Sequence, residues 1–375
     1  MSRSLYEAAE WSALPSQTLD VTGRYEDVCM TPRDRVLNAL VGRPAEPTPW
    51  IEHAMDRSVV MAAFGLGSVP QFAPELPAVE RHLAVLELDK RINEATGCCN
   101  LEIPSGYTMA PRIRDPRTNA GLLTDRASLS QLVMPDLTVR LWDDLQRLID
   151  AKGDYAIHVC ISSGIGHVWQ TMDMTAFAVA CAEDHDLLRE ILARYTDWTC
   201  RVLRKVQTMG VDFVWCFDDF AYKTGCIYSP AILREVVLPC ARQVAAEIEL
   251  PWIFHSDGNL TDVLDDLVPL GMNALNPIEH GCMDVAMLRQ RYPDLTLIGN
   301  VDVGLLSRGT PAQVRQFVKD MFVAFDHGHR YIPSSGNSIP HYTQPENARA
   351  MIEQIAECAG WDRTGGLPFQ GRGTR

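Results

Sequence analysis

The sequence predicts an α/β fold, a (β/α)8 TIM barrel with an N-terminal extension, on three observations. Eight short apolar runs near residues 50, 100, 157, 214, 253, 275, 297 and 331 are mostly separated by helix-like segments. Such alternation requires crossover connections and therefore a parallel sheet. A length of 375 residues suits one large barrel. No GxGxxG follows the first run, and Gly164-Ile-Gly166 is too short to count, which argues against a doubly wound dinucleotide fold. The expected division is an extension at 1–30, the barrel at 31–362 and a C-terminal tail at 363–375.

Taken in order, Glu7–Leu14 suits a short helix and 15–25 a loop. Thr31 is a good N-cap, Pro32 fits the first helical position, and Val36, Leu37 and Leu40 form an apolar stripe. Pro47–His53 reads as the first strand, ending in Glu52 and His53. Ala78–Asp89 suits a helix, Cys98–Ile103 the second strand, and Pro104–Arg126 an excursion with short β-like pieces. Leu141–Ala151 is an amphipathic helix. Tyr155–Ile161 is a strand leading to Ser162 and His167; His158, in mid-strand, reads as a packed core histidine. Leu187–Met209 is a helix stopped by Gly210, and Asp212–Phe217 a strand running into Asp218 and Asp219. Ser229 caps a helix with Pro230 at its first position. Pro251–His255 is a strand, Leu260–Leu270 a helix, Asn273–Pro277 a strand leading to Glu279 and His280, and Asp284–Arg291 a helix. Leu295–Asn300 is a strand leading to Asp302. Pro311–His327 is a helix stopped by Gly328, Arg330–Pro333 the last strand, and Pro345–Ala359 the closing helix.

With 46% hydrophobic and 22% charged residues, a large core can form and global disorder is excluded. A net charge of −14 argues against a nucleic-acid-binding or anionic-membrane surface. No apolar run approaches membrane-spanning length. The charged N-terminus lacks the apolar core of a secretory signal, and the 11 cysteines are odd in number with no CxxC pair. They read as reduced thiols of a cytoplasmic protein.

The chemistry gathers at the strand ends. Trp252-Ile-Phe254 is wholly apolar and gives way to His255-Ser-Asp257-Gly-Asn259. In extended geometry His255 and Asp257 share one side of the strand, where an imidazole and a carboxylate can share a metal or a proton. Beside them the barrel would bring Glu52, His53, Asp218, Asp219, Glu279, Asn300, Ser335 and Asn337 to the carboxyl face, where such barrels place their sites. Two adjacent carboxylates after an apolar strand are costly without a cationic partner, and Lys223 stands nearby in sequence.

Four segments, Thr31–Leu40 with Pro47–Trp50, Phe217–Pro230, His255–Asp302 and Tyr331–Ala350, resemble the uroporphyrinogen decarboxylase superfamily, especially its branch of corrinoid-linked methyltransferases. The most telling motifs are His255-Ser-Asp-Gly-Asn259, Asn273-Ala-Leu-Asn-Pro277, Gly299-Asn-Val-Asp302 and Ser335-Gly-Asn-Ser-Ile-Pro340. The resemblance implies the same barrel. True decarboxylases carry an Arg-rich loop after the first strand, where this chain reads Glu52-His-Ala-Met-Asp-Arg57. That loop is a poor binder of a polyanionic porphyrinogen. Thiol-directed methyltransferases bind zinc through His-x-Cys and a distant Cys. Here His255 matches the His, Asp257 replaces the first Cys, Ser334-Ser335 replaces the distant one, and Glu279 falls where related methionine synthases place a Glu.

The resemblance therefore implies zinc on His255, Asp257 and Glu279. Without thiolates the ion would be a stronger Lewis acid, suited to a methyl ether oxygen. The expected function is O-demethylation of a small donor such as a methoxylated aromatic, with the methyl passing to the Co(I) of a corrinoid (cobalamin). No corrinoid-binding Asp-x-His-x-x-Gly segment is present, so a separate corrinoid carrier protein is the expected partner. His255, Asp257, Asp218 and Asp219 are the candidate catalytic residues. Glu52, His53, Phe217, Tyr222, Asn300, Ser335 and Asn337 are the candidate substrate-binding residues, and a homodimer is one assembly the reading allows. The alternative is a metal-independent decarboxylase of a smaller carboxylic acid, for which Arg57, Arg112 and Arg114 are the early guanidinium candidates.

Overall fold

The computed structural model describes residues 30–371 apart from 74, 111–113, 116–117, 326–329 and 363–369. The expected helix at Glu7–Leu14, the loop at 15–25, Arg112, Gly328 and most of the tail lie outside the described residues. Seven parallel strands follow one another around a curled sheet in chain order. They are β1 (Asn100–Glu102), β2 (Ala156–Ile161), β3 (Phe213–Phe217), β4 (Trp252–His255), β5 (Ala274–Asn276), β6 (Thr296–Val301) and β7 (Tyr331–Ser335).

The remaining stave is irregular. Residues 47–53 do not form the expected strand, because Pro47 and Pro49 have no N–H to give to a ladder. The segment still occupies the eighth place. Trp50 bridges Cys98 on the β1 side, with Cys99 N–H donating to the Trp50 carbonyl at 3.1 Å. Met55 bridges Ile339 beyond β7, where Asp56 N–H donates to Ile339 O at 2.7 Å and Ile339 N–H to Ala54 O at 2.9 Å. The described residues form an α/β barrel of seven regular staves and one irregular one.

Side-chain alternation explains its two apolar regions. Ala156, Phe213, Trp215, Ile253, Ala274, Ile298 and Ile332 point inward and form a core inside the barrel. Their strand neighbours, among them Ile157, Val159, Val214, Cys216, Phe254 and Leu275, point outward into the larger core beneath the helices. The helix Pro32–Leu40 closes the amino end of the barrel as a floor. Its start is set as expected: Thr31 accepts from Asp34 N–H at 3.1 Å, and Pro32 takes the first turn. Val36 and Leu40 join the inner core, and Thr296 at the foot of β6 donates to the Ala39 and Leu40 carbonyls at 3.0 and 3.2 Å. Buried Asp212 ties the same end together by accepting from Arg33 Nε at 2.5 Å, Lys152 Nζ at 2.8 Å and Ile157 N–H at 2.9 Å.

The outer helices largely follow their sequence signals. Ser229, Asp284 and Thr310 cap helices as their side chains suggest. Helix Leu187–Met209 is observed as His185–Val206 with a further turn through Met209, and Ala78–Asp89 extends to Thr96. Expected helix 260–270 is reduced to Leu264–Leu267 and a 3-10 turn, since Pro269 withholds a donor. A hairpin, Ala221–Tyr222 with Gly225–Cys226, is an addition the sequence reading lacked.

Candidate active site at the carboxyl ends of the strands

Register builds the site. Phe217 on β3 pairs with His255 on β4, and His255 with Asn276 on β5, so three inward side chains form one row at the strand ends. In that row His255 Nδ1–H donates to Asn276 Oδ1 at 2.7 Å. With Nδ1 so engaged, Nε2 is the ring nitrogen turned to the cavity. Nε2 faces two carboxylates, Asp257 Oδ1 at 3.7 Å and Asp219 Oδ1 at 3.9 Å. Asn337 donates to both Asp257 oxygens at 2.9 and 2.8 Å, and Asp257 N–H reaches toward Asp219 at 3.4 Å. Burial pushes the Asp257 carboxyl above its ordinary value and the Asp219 and Glu279 charges add to this, while His255 and Asn337 oppose it.

These groups line a cavity of about 310 Å³, within the range of small-molecule sites. Phe217 and His53 form one wall, with ring centroids 4.2 Å apart and 4.6 and 5.1 Å from that of His255. Burial, with His255 and His158 nearby, holds His53 well below the usual imidazole range, so it is neutral. Neither Lys nor Arg is among the described residues lining this cavity, although Glu102, Asp219 and Asp257 are. A second cavity of about 480 Å³ adjoins it through His53, Glu102 and Ser105; its Arg57 is held by Asp89 at 2.6 and 2.8 Å.

Several candidates are placed differently from their sequence reading. Asp218 does not line the cavity. It is buried and accepts from Ser162 Oγ at 2.7 Å, Ser163 N–H at 2.6 Å and Gly166 N–H at 3.2 Å, so it holds the loop after β2. Adjacent residues on an extended chain face opposite sides, which separates it from Asp219. Glu279 is not in the cluster with His255: it pairs with Lys223 at 3.3 Å and accepts from Gly258 N–H at 3.2 Å. Asp219 takes the third position instead. Tyr222 is exposed on the hairpin, and its carbonyl accepts from Asn259 N–H at 2.8 Å. Asn300 is buried with its N–H on Met321 Sδ at 3.2 Å, outside the cavity lining. Ser335 also lies outside it, with Oγ and N–H donating to Glu52 at 2.8 and 3.1 Å. Burial drives Glu52 up to about 7 despite those bonds, and Glu52 borders the second cavity only. His53, Phe217, Asp219, His255, Asp257 and Asn337 do come together.

Among the described residues, two sets of three donors are close enough to share a metal ion, the atoms of each lying within 4.8 Å of one another. One is Asp219, His255 and Asp257; the other is Glu102, His158 and Cys160. The sequence reading missed the second. Its available signal was the His158-Val-Cys160 spacing, which puts both side chains on the same face of β2.

Among solved structures, a methyltransferase from Methanosarcina mazei has a similar fold, with a TM-score of 0.64 and 17% identity over 88% of this chain and 99% of that one. The uroporphyrinogen decarboxylase of Xanthomonas euvesicatoria pv. vesicatoria (strain 85-10) is 24% identical over 365 residues, covering 87% of this chain and 98% of that protein. The uroporphyrinogen decarboxylase of Nitrosomonas europaea is 26% identical over 179 residues, 45% of this chain and 48% of that protein. Residues 95–358 match the Uroporphyrinogen decarboxylase (URO-D) family, and with most of its length inside that match the chain belongs to this family.

Proposed function

We propose that the protein is a metal-assisted methyltransferase that removes the methyl group of a small ether, a methoxylated aromatic, and passes it to the Co(I) corrinoid of a partner protein. The observation carrying this reading is the presentation of His255 Nε2 to Asp219 and Asp257 in a cavity lined by acids but by neither Lys nor Arg among the described residues. Nitrogen and oxygen donors with a fixed tautomer fit a zinc-type ion. When bound there, the ion would supply Lewis acidity to an ether oxygen as its C–O bond breaks. Asn276 orients His255, and Asn337 holds both Asp257 oxygens. The Phe217 and neutral His53 rings offer an uncharged wall to an aromatic donor. The methyl group leaves without its bonding pair, which stays on the phenolate oxygen, and Co(I) provides the pair for the new bond. The fold shared with the Methanosarcina methyltransferase is compatible with this reading.

Decarboxylation of a small acid is the second reading, favoured by the names of the curated relatives. It is opposed by the lining: a substrate carboxylate would meet the Asp219, Asp257 and Glu102 carboxyls without a guanidinium among the described lining residues, and Arg57 is occupied by Asp89. Metal analysis of the purified protein beside His255→Gln and Asp257→Asn, with a Co(I) cobalamin methylation assay on methoxylated aromatics, separates the readings. Both variants should lose about one ion per chain and at least a hundredfold in methyl transfer. Unchanged metal content in both variants would remove the Lewis-acid mechanism and favour acid–base roles for the same residues.

A further inference from the structure

The second donor set is independent of His255. Glu102 closes β1, and His158 and Cys160 stand one pleat apart on β2, with Glu102 in register beside His158. His158 and Cys160 are fully buried at 0% and 1% exposure. Glu102 and Cys160 line the cavity. The Cys160 thiol donates to Glu102 Oε1 at 3.3 Å.

Two features set this group apart from ordinary core polarity. First, neither ring nitrogen of His158 meets a well-formed hydrogen-bond partner among the described residues, the Leu101 backbone making at most a weak contact, although the ring is fully buried between Phe213 and Trp215, with centroids 4.8 and 5.0 Å away. A buried imidazole with both nitrogens unpaired is costly and rare. Second, the three donors supply one sulfur, one nitrogen and one oxygen. Neutral imidazole, thiolate and carboxylate together carry two negative charges, which a divalent cation would cancel in a buried place.

We propose that Glu102, His158 and Cys160 form a second metal site, selective for a borderline-soft divalent cation such as zinc, whose remaining coordination position opens on the cavity. Sulfur and imidazole favour zinc over magnesium or calcium, and three protein donors leave a fourth position of the usual tetrahedron. On binding, the Cys160 proton now shared with Glu102 is released to solvent and the sulfur becomes the ligand. The ion links the ends of β1 and β2.

The test uses cobalt(II) alone as probe, on metal-stripped full-length protein with a phosphine reductant in place of thiols. The expected result is a thiolate-to-cobalt charge-transfer band that is present in the wild type, is lost in Cys160→Ser, and in His255→Gln with Asp257→Asn persists and saturates at one ion per chain. Absence of the band in the wild type, or its survival in Cys160→Ser, overturns the proposal. Circular dichroism and melting verify the fold of each variant. If Cys160→Ser does not fold, Glu102→Gln decides: at least tenfold weaker cobalt binding supports the site, and unchanged binding overturns it. Because the His255 and Cys160 variants are read separately, failure here is distinguishable from failure of the proposed methyl transfer.

Discussion

At the scale of single residues, the chemistry depends on partners more than on the named side chains. His255 faces the carboxylates because Asn276 holds its other nitrogen. Asn276→Ala should lower metal affinity ten- to a hundredfold, measured by competition with a chelating dye, while methyl transfer falls with it. Glu52 offers a second check. Its folded value of about 7 lies above the ordinary 4.5, so the folded state holds the proton more tightly than the unfolded chain. Its stability contribution is fully present below pH 4.5 and is lost as pH rises through about 7. Relative to Glu52→Gln, the wild type should therefore lose about 3 kcal/mol between pH 4.5 and pH 8 in denaturant titrations. Sequence alone could place His255 and Asp257 on one side of one strand end, two apart on an extended segment. It could not choose Asp219 over Glu279, because that choice is made by Lys223 and the Gly258 N–H across the hairpin.

At the scale of elements, strand ends and turns decide which carboxylates are available. Asp218 serves the loop after β2 by accepting a hydroxyl and two backbone N–H groups. Asp218→Ala should destabilise the fold by about 2–4 kcal/mol, seen as a lowered denaturation midpoint, with cobalt affinity at the His255 site changed less than in Asp219→Ala. Gly258 lies at φ +84°, where an added Cβ would collide with the Tyr222 carbonyl. Gly258→Ala should push the hairpin away from the strand end and cost about 1–3 kcal/mol, read by thermal melting. Helix starts were readable because Thr31, Ser229 and Asp284 cap locally. The hairpin was not, since its two short strands pair only with each other over the mouth. The first strand failed as a regular strand because two prolines break its ladder, yet its position survived because its neighbours hold it at both edges.

At the scale of the whole molecule, barrel closure was legible because the apolar runs recur with helices between them, and the inner core follows from strict alternation on β2 to β7. The floor was not legible: Val36 and Leu40 look like any amphipathic stripe until Thr296 and Asp212 anchor the helix. Asp212→Asn should lower stability by about 2–4 kcal/mol, measured by urea unfolding, and the loss should shrink when Lys152 is also replaced by Met. The floor also governs traffic. A barrel sealed at its amino end leaves the cavity to be served through the carboxyl rim. Under the proposed methyl transfer, the donor would enter by that doorway first and the corrinoid carrier would then cover it while the donor is still bound. Direct displacement needs donor and corrinoid together, so initial-rate kinetics should be sequential, with the demethylated product competing with the donor.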